Sequence, residues 1–272
     1  MLKVLVERLR QGHRTVSFPE GVPALPERFR GAPVLDSSKC GTDCRACVES
    51  CPTDALSFSG DLRLDLGRCL FCNECAEACP AGALRFTQDF RMATRRREDL
   101  VVGERPIPLA AALDEEARRL FGRSLRLRQV SAGGCNGCEV EVNALNNVVF
   151  DLGRFGIQFV ASPRHSDGLL ITGPVTVNMR QALRKTYEAV PAPKLVIAVG
   201  ACAISGGPYV GHPEAENGAD RVVPVDLYVP GCSPHPLTIL DGLLRLLGRL
   251  DTRDKPDNPG AGPSGAAAGH SS

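Results

Sequence analysis

The stretch RCLFCNECAEACP, residues 68–80, carries four cysteines at the spacing C-x2-C-x2-C-x3-C, and a proline follows the last of them. A second stretch, KCGTDCRACVESCP at residues 39–52, has nearly the same spacing. The segments 44–58 and 72–86 align residue by residue, so residues 36–90 contain an internal repeat of 28 residues. The question for the whole chain is what so many thiols hold.

The spacing of these cysteines predicts two 4Fe–4S clusters. In this pattern three thiolates of one run ligate one cubane, and the fourth cysteine ligates the other cluster. Crossed ligation therefore assigns Cys40, Cys44, Cys47 and Cys79 to one cluster and Cys69, Cys72, Cys75 and Cys51 to the other. A zinc site would need two cysteine pairs separated by a longer loop, which neither run has. Structural disulfides are disfavoured because no export signal is visible, which predicts a cytoplasmic protein.

The first run departs from the pattern by one residue. Gly41 stands where the repeat would place a cysteine, and Cys40 precedes it. We expect Cys40 to be the ligand, because the flexible Gly41 gives the longer loop room to turn. The spacing C-x3-C-x2-C also occurs in radical-SAM enzymes, which leave one iron open. Here Cys79 is available to close the site, and no α/β barrel pattern follows.

From residue 124 onward, strand-like and helical patterns alternate. The strand-like runs are 125–130, 157–162, 168–173, 194–200 and 225–231, and the helical patterns are 138–150, 177–190 and about 234–250. This alternation predicts a parallel α/β sheet with helices on its faces.

Four cysteines remain outside the repeat, namely Cys135, Cys138, Cys202 and Cys232. All of them follow the carboxyl ends of predicted parallel strands, the edge at which open α/β sheets bind ligands. Neighbouring glycines allow sharp turns and a close approach to a bulky group, namely Gly133, Gly134, Gly137, Gly200 and Gly231. We therefore predict a third metal site, the alternative being buried cysteines without a ligand.

The motifs of the second half resemble a known family. GGCNGCEVEV, ASPRHSDGLLITGPVTVNM, GACAISGG and VPVDLYVPGCSPHP resemble the small, complex I 20 kDa-like subunit of membrane-bound group 4 nickel–iron hydrogenases. Residues 1–100, with FRGAPVLD and LDLGRCLFCNECAEACP, resemble the two-cluster ferredoxin subunit of formate hydrogenlyase. The chain thus resembles a fusion of two subunits that are usually separate.

The resemblance implies a fold and a domain division. An α+β bacterial-type ferredoxin domain with two 4Fe–4S clusters would precede a flavodoxin-like α/β parallel-sheet domain. The expected parts are an N-terminal amphipathic helix with an extended arm (1–35), the ferredoxin domain (36–90), a connector (91–123), the small-subunit domain (124–250) and a disordered tail (251–272).

The same resemblance implies a function. Cys135, Cys138, Cys202 and Cys232 would ligate a 4Fe–4S cluster beside the active site of a large catalytic subunit, and the spacing in CNGC follows hydrogenases rather than complex I. The chain would relay electrons through three 4Fe–4S clusters and would not be catalytic alone. The alternatives are the equivalent subunit of a complex I-like assembly without nickel–iron, and a zinc-stabilised interaction module.

The expected partners are the large nickel–iron hydrogenase-like subunit, membrane subunits of the complex and a soluble redox partner at the ferredoxin end. These would hold the chain peripherally on the inner face of the cell membrane. The net charge of +1 gives no electrostatic argument for nucleic acid. No stretch has the roughly 18 apolar residues of a spanning helix. We expect the N-terminal amphipathic helix to contact a protein partner.

Several polar residues near these motifs admit two interpretations. Glu139 and Glu141 are acidic residues in the first turn of a predicted helix, which the helix dipole favours, or members of a proton relay. His165 is a hydrogen-bonded loop histidine or an interface residue. His235 is a structural residue or a hydrogen-bond donor to a cluster sulfur.

Overall fold

The computed structural model describes residues 2–21, 23–41 and 44–250. The tail 251–272, predicted to be disordered, lies outside the described residues. The helices are α1 (Leu2–Gln11), α2 (Ala46–Glu49), α3 (Glu74–Glu77), α4 (Glu115–Phe121), α5 (Gly137–Ala144), α6 (Val177–Ala189), α7 (Ala201–Ser205) and α8 (Pro236–Leu246). The strands are β1 (Pro33–Leu35), β2 (Leu56–Phe58), β3 (Leu62–Asp65), β4 (Leu84–Phe86), β5 (Val101–Val102), β6 (Leu125–Ser131), β7 (Ile157–Phe159), β8 (Gly168–Thr172), β9 (Leu195–Val199) and β10 (Leu227–Val229).

The two halves of the repeat have the same local structure. α2 and β2 have counterparts 28 residues later in α3 and β4, and the backbone is left-handed at Asp54 and at its counterpart Gly82. β1 pairs antiparallel with β4, and β2 pairs antiparallel with β3. Because β1 precedes the first cysteine run and β4 follows the second, this pairing interleaves the two halves.

The segment between the two halves of the chain is hydrogen-bonded to strands of both halves. Its strand β5 pairs antiparallel with β3. Seven residues before β5, Thr94 exchanges two backbone hydrogen bonds with Tyr228 of β10, at 2.9 and 3.0 Å. The predicted connector is therefore hydrogen-bonded both to the ferredoxin part and to the parallel sheet.

The second half of the chain forms a sheet of five parallel strands, in the order β10-β9-β8-β6-β7. Numbered from β6, this is the 2-1-3-4-5 order of flavodoxin-like folds, so the predicted fold class is confirmed. Chain connections diverge between β6 and β8. The carboxyl ends of these two strands form the topological switch point, where such sheets bind ligands.

The sheet is buried on both faces, as its continuous apolar strands predict. Every residue of β8 and β9 is buried. Within β8, Leu169 and Ile171 belong to one hydrophobic cluster and Leu170 to another, because alternate side chains point to opposite faces. The first cluster also contains Leu64 and Leu66 of the ferredoxin part. Each fully buried leucine contributes about 1.5–3 kcal/mol.

Some helix boundaries differ from the sequence prediction. The helix predicted at 138–150 ends at Ala144, where the side-chain oxygen of Asn147 accepts hydrogen bonds from the backbone N–H of Val149 (2.8 Å) and Phe150 (3.1 Å). Such local bonds compete with the helical ladder. The short helix α7 was not predicted. None of the described helices combines the length and hydropathy needed to cross a bilayer.

Candidate iron–sulfur sites

The third set of cysteines, Cys135, Cys138, Cys202 and Cys232, lies beyond the carboxyl ends of β6, β9 and β10. Burial raises the pKa of the Cys138 thiol, and the charges of Cys202, Cys232 and Cys135 raise it further. Burial likewise raises the pKa of Cys202 to about 12, with Cys232 and Cys135 adding to the effect. Cys138 therefore has all three other members of the set as charged neighbours, and Cys202 has two of them, Cys232 and Cys135.

The backbone around the third set leaves room for thiols where a side chain would collide with them. Gly200 directly follows β9 and has φ +91°, and a Cβ added there would lie 2.4 Å from Cys138 Sγ. A Cβ at Gly207 would lie 2.9 Å from Cys202 Sγ. Of the glycines singled out in the sequence, Gly200 has this role directly, whereas Gly207 was not anticipated.

The first set comprises Cys40, Cys44, Cys47 and Cys79, which the structure brings together from both halves of the repeat. Burial raises the pKa of Cys40, and the next largest contribution comes from Cys79. The pKa of Cys47 is raised by burial and then by Cys79 and Cys40. Cys79 belongs to the other cysteine run, so its proximity is the arrangement that crossed ligation requires.

The second set comprises Cys51, Cys69, Cys72 and Cys75. Burial raises the pKa of Cys69 to about 12, and Cys75, Cys51 and Cys72 contribute in the same direction. Burial also raises the pKa of Cys75 to about 11, with Cys51 as the next contributor. Here Cys51 is the member that comes from the other run.

Backbone N–H groups point at several of the thiols. Ala55 N–H donates to Cys51 Sγ at 3.2 Å, and 28 residues later Ala83 N–H donates to Cys79 Sγ at 3.2 Å. Phe71 N–H donates to Cys69 Sγ at 3.3 Å. Hydrogen bonds to cluster sulfurs are one of the means by which proteins set cluster potentials. Four thiolates per set, with donors to their sulfurs, fit the chemistry of a 4Fe–4S cluster.

Among the residues with described positions, no three Cys, His, Asp or Glu side chains converge closely enough to hold a single metal ion. A four-iron cubane is larger than one ion and holds its four thiolates further apart.

The three sets follow one another in space. Cys47 of the first set contributes to the raised pKa of Cys75 in the second. Cys72 of the second set contributes to the raised pKa of Cys232 in the third, after burial and Cys135. A cavity of about 230 Å³ lies alongside this second junction, and its lining includes Leu70, Phe71 and Cys232. The second set is thus the middle one.

Glu139 and Glu141 differ in their surroundings. Glu139 is buried, and its Oε1 accepts hydrogen bonds at 2.6 Å from Ser131 at the end of β6 and Thr172 at the end of β8. Burial raises its pKa, but these two hydroxyl groups outweigh burial, so the pKa lies below its ordinary value. Burial raises the pKa of Glu141, whose Oε1 lies 3.4 Å from Ser233 Oγ. Glu139 therefore ties together the two strands of the switch point.

The two histidines singled out in the sequence have different positions. His235 accepts a hydrogen bond at Nδ1 from Leu237 N–H (3.1 Å) and so caps α8. Its ring lies against Phe29 and Phe150 at centroid distances of 5.4 and 6.0 Å, and burial lowers its pKa. His165 is exposed at the end of a short turn. Helix capping thus accounts for the hydrogen bond at Nδ1, one of the two ring nitrogens of His235.

Both halves of the chain match known families. Residues 39–83 match the family described as 4Fe-4S dicluster domain, and residues 135–246 match the family described as NADH ubiquinone oxidoreductase, 20 Kd subunit. Both matches agree with the resemblance deduced from the sequence motifs.

Individual relatives are named as subunits of a membrane-bound hydrogenase and of a formate hydrogenlyase. A probable membrane-bound hydrogenase subunit of Pyrococcus furiosus is 42% identical over 141 residues, which cover 52% of this chain and 84% of that protein. Formate hydrogenlyase subunit 7 of Escherichia coli is 40% identical over 160 residues, covering 57% of this chain and 63% of that protein. A chain in the solved structure of an archaeal membrane-bound sulfane sulfur reductase is 36% identical, with a TM-score of 0.44, covering 50% of this chain and 75% of that one.

These matches confirm the family expected from the cysteine motifs. The chain belongs to the family of the 20 kDa subunit of NADH ubiquinone oxidoreductase, and it carries a 4Fe-4S dicluster domain ahead of that family's domain.

Proposed function

We propose that this chain is the electron-transfer subunit of a membrane-associated nickel–iron hydrogenase complex. It would relay electrons through three 4Fe–4S clusters to or from a large catalytic subunit. The observation that carries the proposal is the series of three four-cysteine sets, which together use all twelve cysteines of the chain. The named relatives, a membrane-bound hydrogenase subunit and a formate hydrogenlyase subunit, support the choice of complex.

Each cluster, when bound, would supply a site that accepts and releases one electron. The residues of the chain hold and insulate these sites. Cys69, Cys75 and Cys202 are buried, and backbone N–H groups donate to the sulfurs of Cys51, Cys69 and Cys79. The proposed order is from the first set through the second to the third, since the second set neighbours both others.

The large subunit would dock at the third set. Cys135 and Cys232 are exposed there, and Val140, one turn into α5, is 55% exposed. Exposed ligands leave the edge of the bound cluster near the surface, where a redox centre of the partner could approach it. The nickel–iron centre would belong to that partner, because the three clusters leave no cysteine of this chain to ligate it.

The first experiment is the iron and acid-labile sulfide content after anaerobic purification. We expect about twelve irons and about twelve sulfides per chain, four of each for every set. About eight irons would mean that one set does not hold a cubane. Zinc in place of iron would contradict the proposal and favour an interaction module.

A second candidate keeps the relay and changes the chemistry of the partner. The match of residues 135–246 to the 20 kDa subunit of NADH ubiquinone oxidoreductase favours a complex I-like assembly without nickel–iron. The sequence of the large subunit that co-purifies with this chain distinguishes the two. Two C-x2-C pairs in it would support the hydrogenase, and their absence the complex I-like assembly.

A further inference from the structure

The helix that carries Cys202 touches the loop that leads to Cys69. At the end of α7, the hydroxyl group of Ser205 lies 2.8 Å from the carbonyl oxygen of Gly67 and 3.1 Å from that of Ala201. The hydroxyl group has a single hydrogen, and the shorter distance favours its donation to Gly67 of the ferredoxin part over the usual bond within the helix to Ala201. Because Ser205 is buried, water does not compete for this bond.

Gly67 has no room for a side chain at this contact. A Cβ there would lie 2.7 Å from Ile204 Cγ2 and 2.8 Å from Arg97 Cζ. Its φ is outside the left-handed region, so the need for glycine comes from the close approach and not from backbone conformation. Even a methyl group there would require Ile204 near the end of α7, or the Arg97 guanidinium, to shift.

The loop itself is fixed by Asp65. The Asp65 carboxylate accepts two hydrogen bonds from the Arg97 guanidinium, at 2.8 and 2.7 Å, and a third from Gly67 N–H at 2.9 Å. Its backbone carbonyl accepts a hydrogen bond from Cys69 N–H at 3.0 Å. A bidentate arginine–carboxylate pair has a defined geometry, so the position of Gly67 relative to Cys69 is set.

We propose that Gly67 and Ser205 are positioning residues that set the separation between the second and third cysteine sets, and with it the rate at which an electron passes between them. The inference rests on the proposed function. With clusters bound, the step would be the transfer of one electron from the reduced cluster of one set to the oxidised cluster of the other, with no covalent bond made or broken. Electron tunnelling slows steeply as the separation grows. A contact two residues from Cys69 and three from Cys202 controls that separation directly.

The test compares two glycine variants of the full chain in its assembled complex. Gly67→Ala inserts a methyl group into the contact, and Gly103→Ala is the control, because a Cβ at Gly103 would meet only Leu62 O at 3.7 Å. The readouts are the magnetic interaction between the reduced second and third clusters in electron paramagnetic resonance, and the transfer rate between them after rapid reduction. We expect a weaker interaction and slower transfer in Gly67→Ala, with unchanged midpoint potentials, and wild-type behaviour in Gly103→Ala.

Two serine-to-alanine variants provide a second test if Gly67→Ala does not retain its clusters. Ser205→Ala removes only the hydroxyl group, and Ser166→Ala is its control, because Ser166 is also buried and donates to the local carbonyl of Pro163 at 2.8 Å. Ser205→Ala should change the magnetic interaction in the same direction, and Ser166→Ala should not. Full iron content with wild-type interaction and rate in Ser205→Ala would overturn the inference alone. A wild-type chain without iron–sulfur signals would overturn both the inference and the proposed function.

Discussion

Gly200 shows how a single residue can decide whether a cluster fits. It follows β9 directly, its backbone is left-handed, and the space of its missing side chain is taken up by Cys138 Sγ. Two independent constraints therefore coincide at one position. The first, positive φ, disfavours any residue with a Cβ, and the second, the thiol, excludes it.

A pair of alanine substitutions separates these two constraints. Gly200→Ala should displace Cys138 and lose the third cluster, lowering the iron content by about four per chain. Gly60→Ala is the matched control, because Gly60 has φ +95° and no atom within 4 Å of an added Cβ. Gly60→Ala should lose only roughly 1 kcal/mol of stability to backbone strain, and it should keep its full iron content. Iron analysis and electron paramagnetic resonance check both. Full iron content in Gly200→Ala would show that the third set tolerates a displaced Cys138.

The sequence allows the twelve cysteines to be grouped, because their spacing within each run and their place after each strand are local features. The surroundings of Glu139 could not be predicted in this way. Its partners Ser131 and Thr172 meet only because β6 and β8 are neighbours in the sheet. The sequence suggested a helix-dipole role for this acid, and the structure adds a bond to each strand of the switch point. Hydroxyl groups at strand ends have no characteristic spacing in the sequence that would identify their hydrogen-bond partner.

At the scale of secondary structure, the repeat is consistent with the proposal that each cysteine run supplies one ligand to the cluster of the other. The two halves are interleaved through the β1–β4 and β2–β3 ladders. Cys51, the last cysteine of the first run, precedes β2, which pairs with β3 between the two runs. Cys79, the last cysteine of the second run, precedes β4, which pairs with β1 ahead of the first run. The thiol sets that result each contain one cysteine from the other run.

Serine substitutions in the two runs test this crossed arrangement. Cys51→Ser should remove the cluster that Cys72→Ser removes, because both belong to the second set. Cys79→Ser should instead remove the cluster that Cys44→Ser removes. The measurement is the set of electron paramagnetic resonance signals lost in each variant of the intact chain. If Cys51→Ser and Cys44→Ser abolish the same signal, each run ligates its own cluster and the crossed assignment is wrong.

Sequence reasoning missed one element that is too short to show a period. It also misplaced the end of a helix that a local side-chain hydrogen bond stops. α7 has five residues, too few to show a helical period, although it carries Cys202. α5 stops at Ala144 because Asn147 offers the following backbone N–H groups another acceptor. Longer elements such as α6, predicted at 177–190 and found at Val177–Ala189, give a clear periodic signal.

In the whole molecule, the ferredoxin part and the parallel sheet share a hydrophobic cluster. It contains Leu64 and Leu66 as well as Leu169 and Ile171. The hydrogen bonds of Thr94 to β10 and the pairing of β5 with β3 join the two parts as well. A sequence pattern reports that a residue is buried and not which partner buries it, so this shared packing could not be read from the sequence. It holds the second and third cysteine sets next to each other.

This arrangement makes the third set the point through which every electron would reach the large subunit. Cys232→Ser should reduce turnover of the assembled complex with its electron partner to background, because it removes a ligand of that cluster while both ferredoxin clusters stay in place. Ser233→Ala is the control, because it alters the same loop without removing a thiolate. Turnover and the three cluster signals are measured in the same samples.

A second assay on the same complex distinguishes a broken relay from a damaged partner. Hydrogen–deuterium exchange at the large subunit needs no electron to leave it, so exchange should survive in Cys232→Ser as long as the complex assembles. Loss of both activities would mean that the substitution also disrupts docking or the partner's own site. Full turnover after verified loss of the third cluster would mean that electrons reach the partner by another route. Retained exchange with abolished turnover would assign the third set to the electron path between the large subunit and the ferredoxin clusters. In that case the large subunit is still active, and only electron transfer between it and the ferredoxin clusters is blocked.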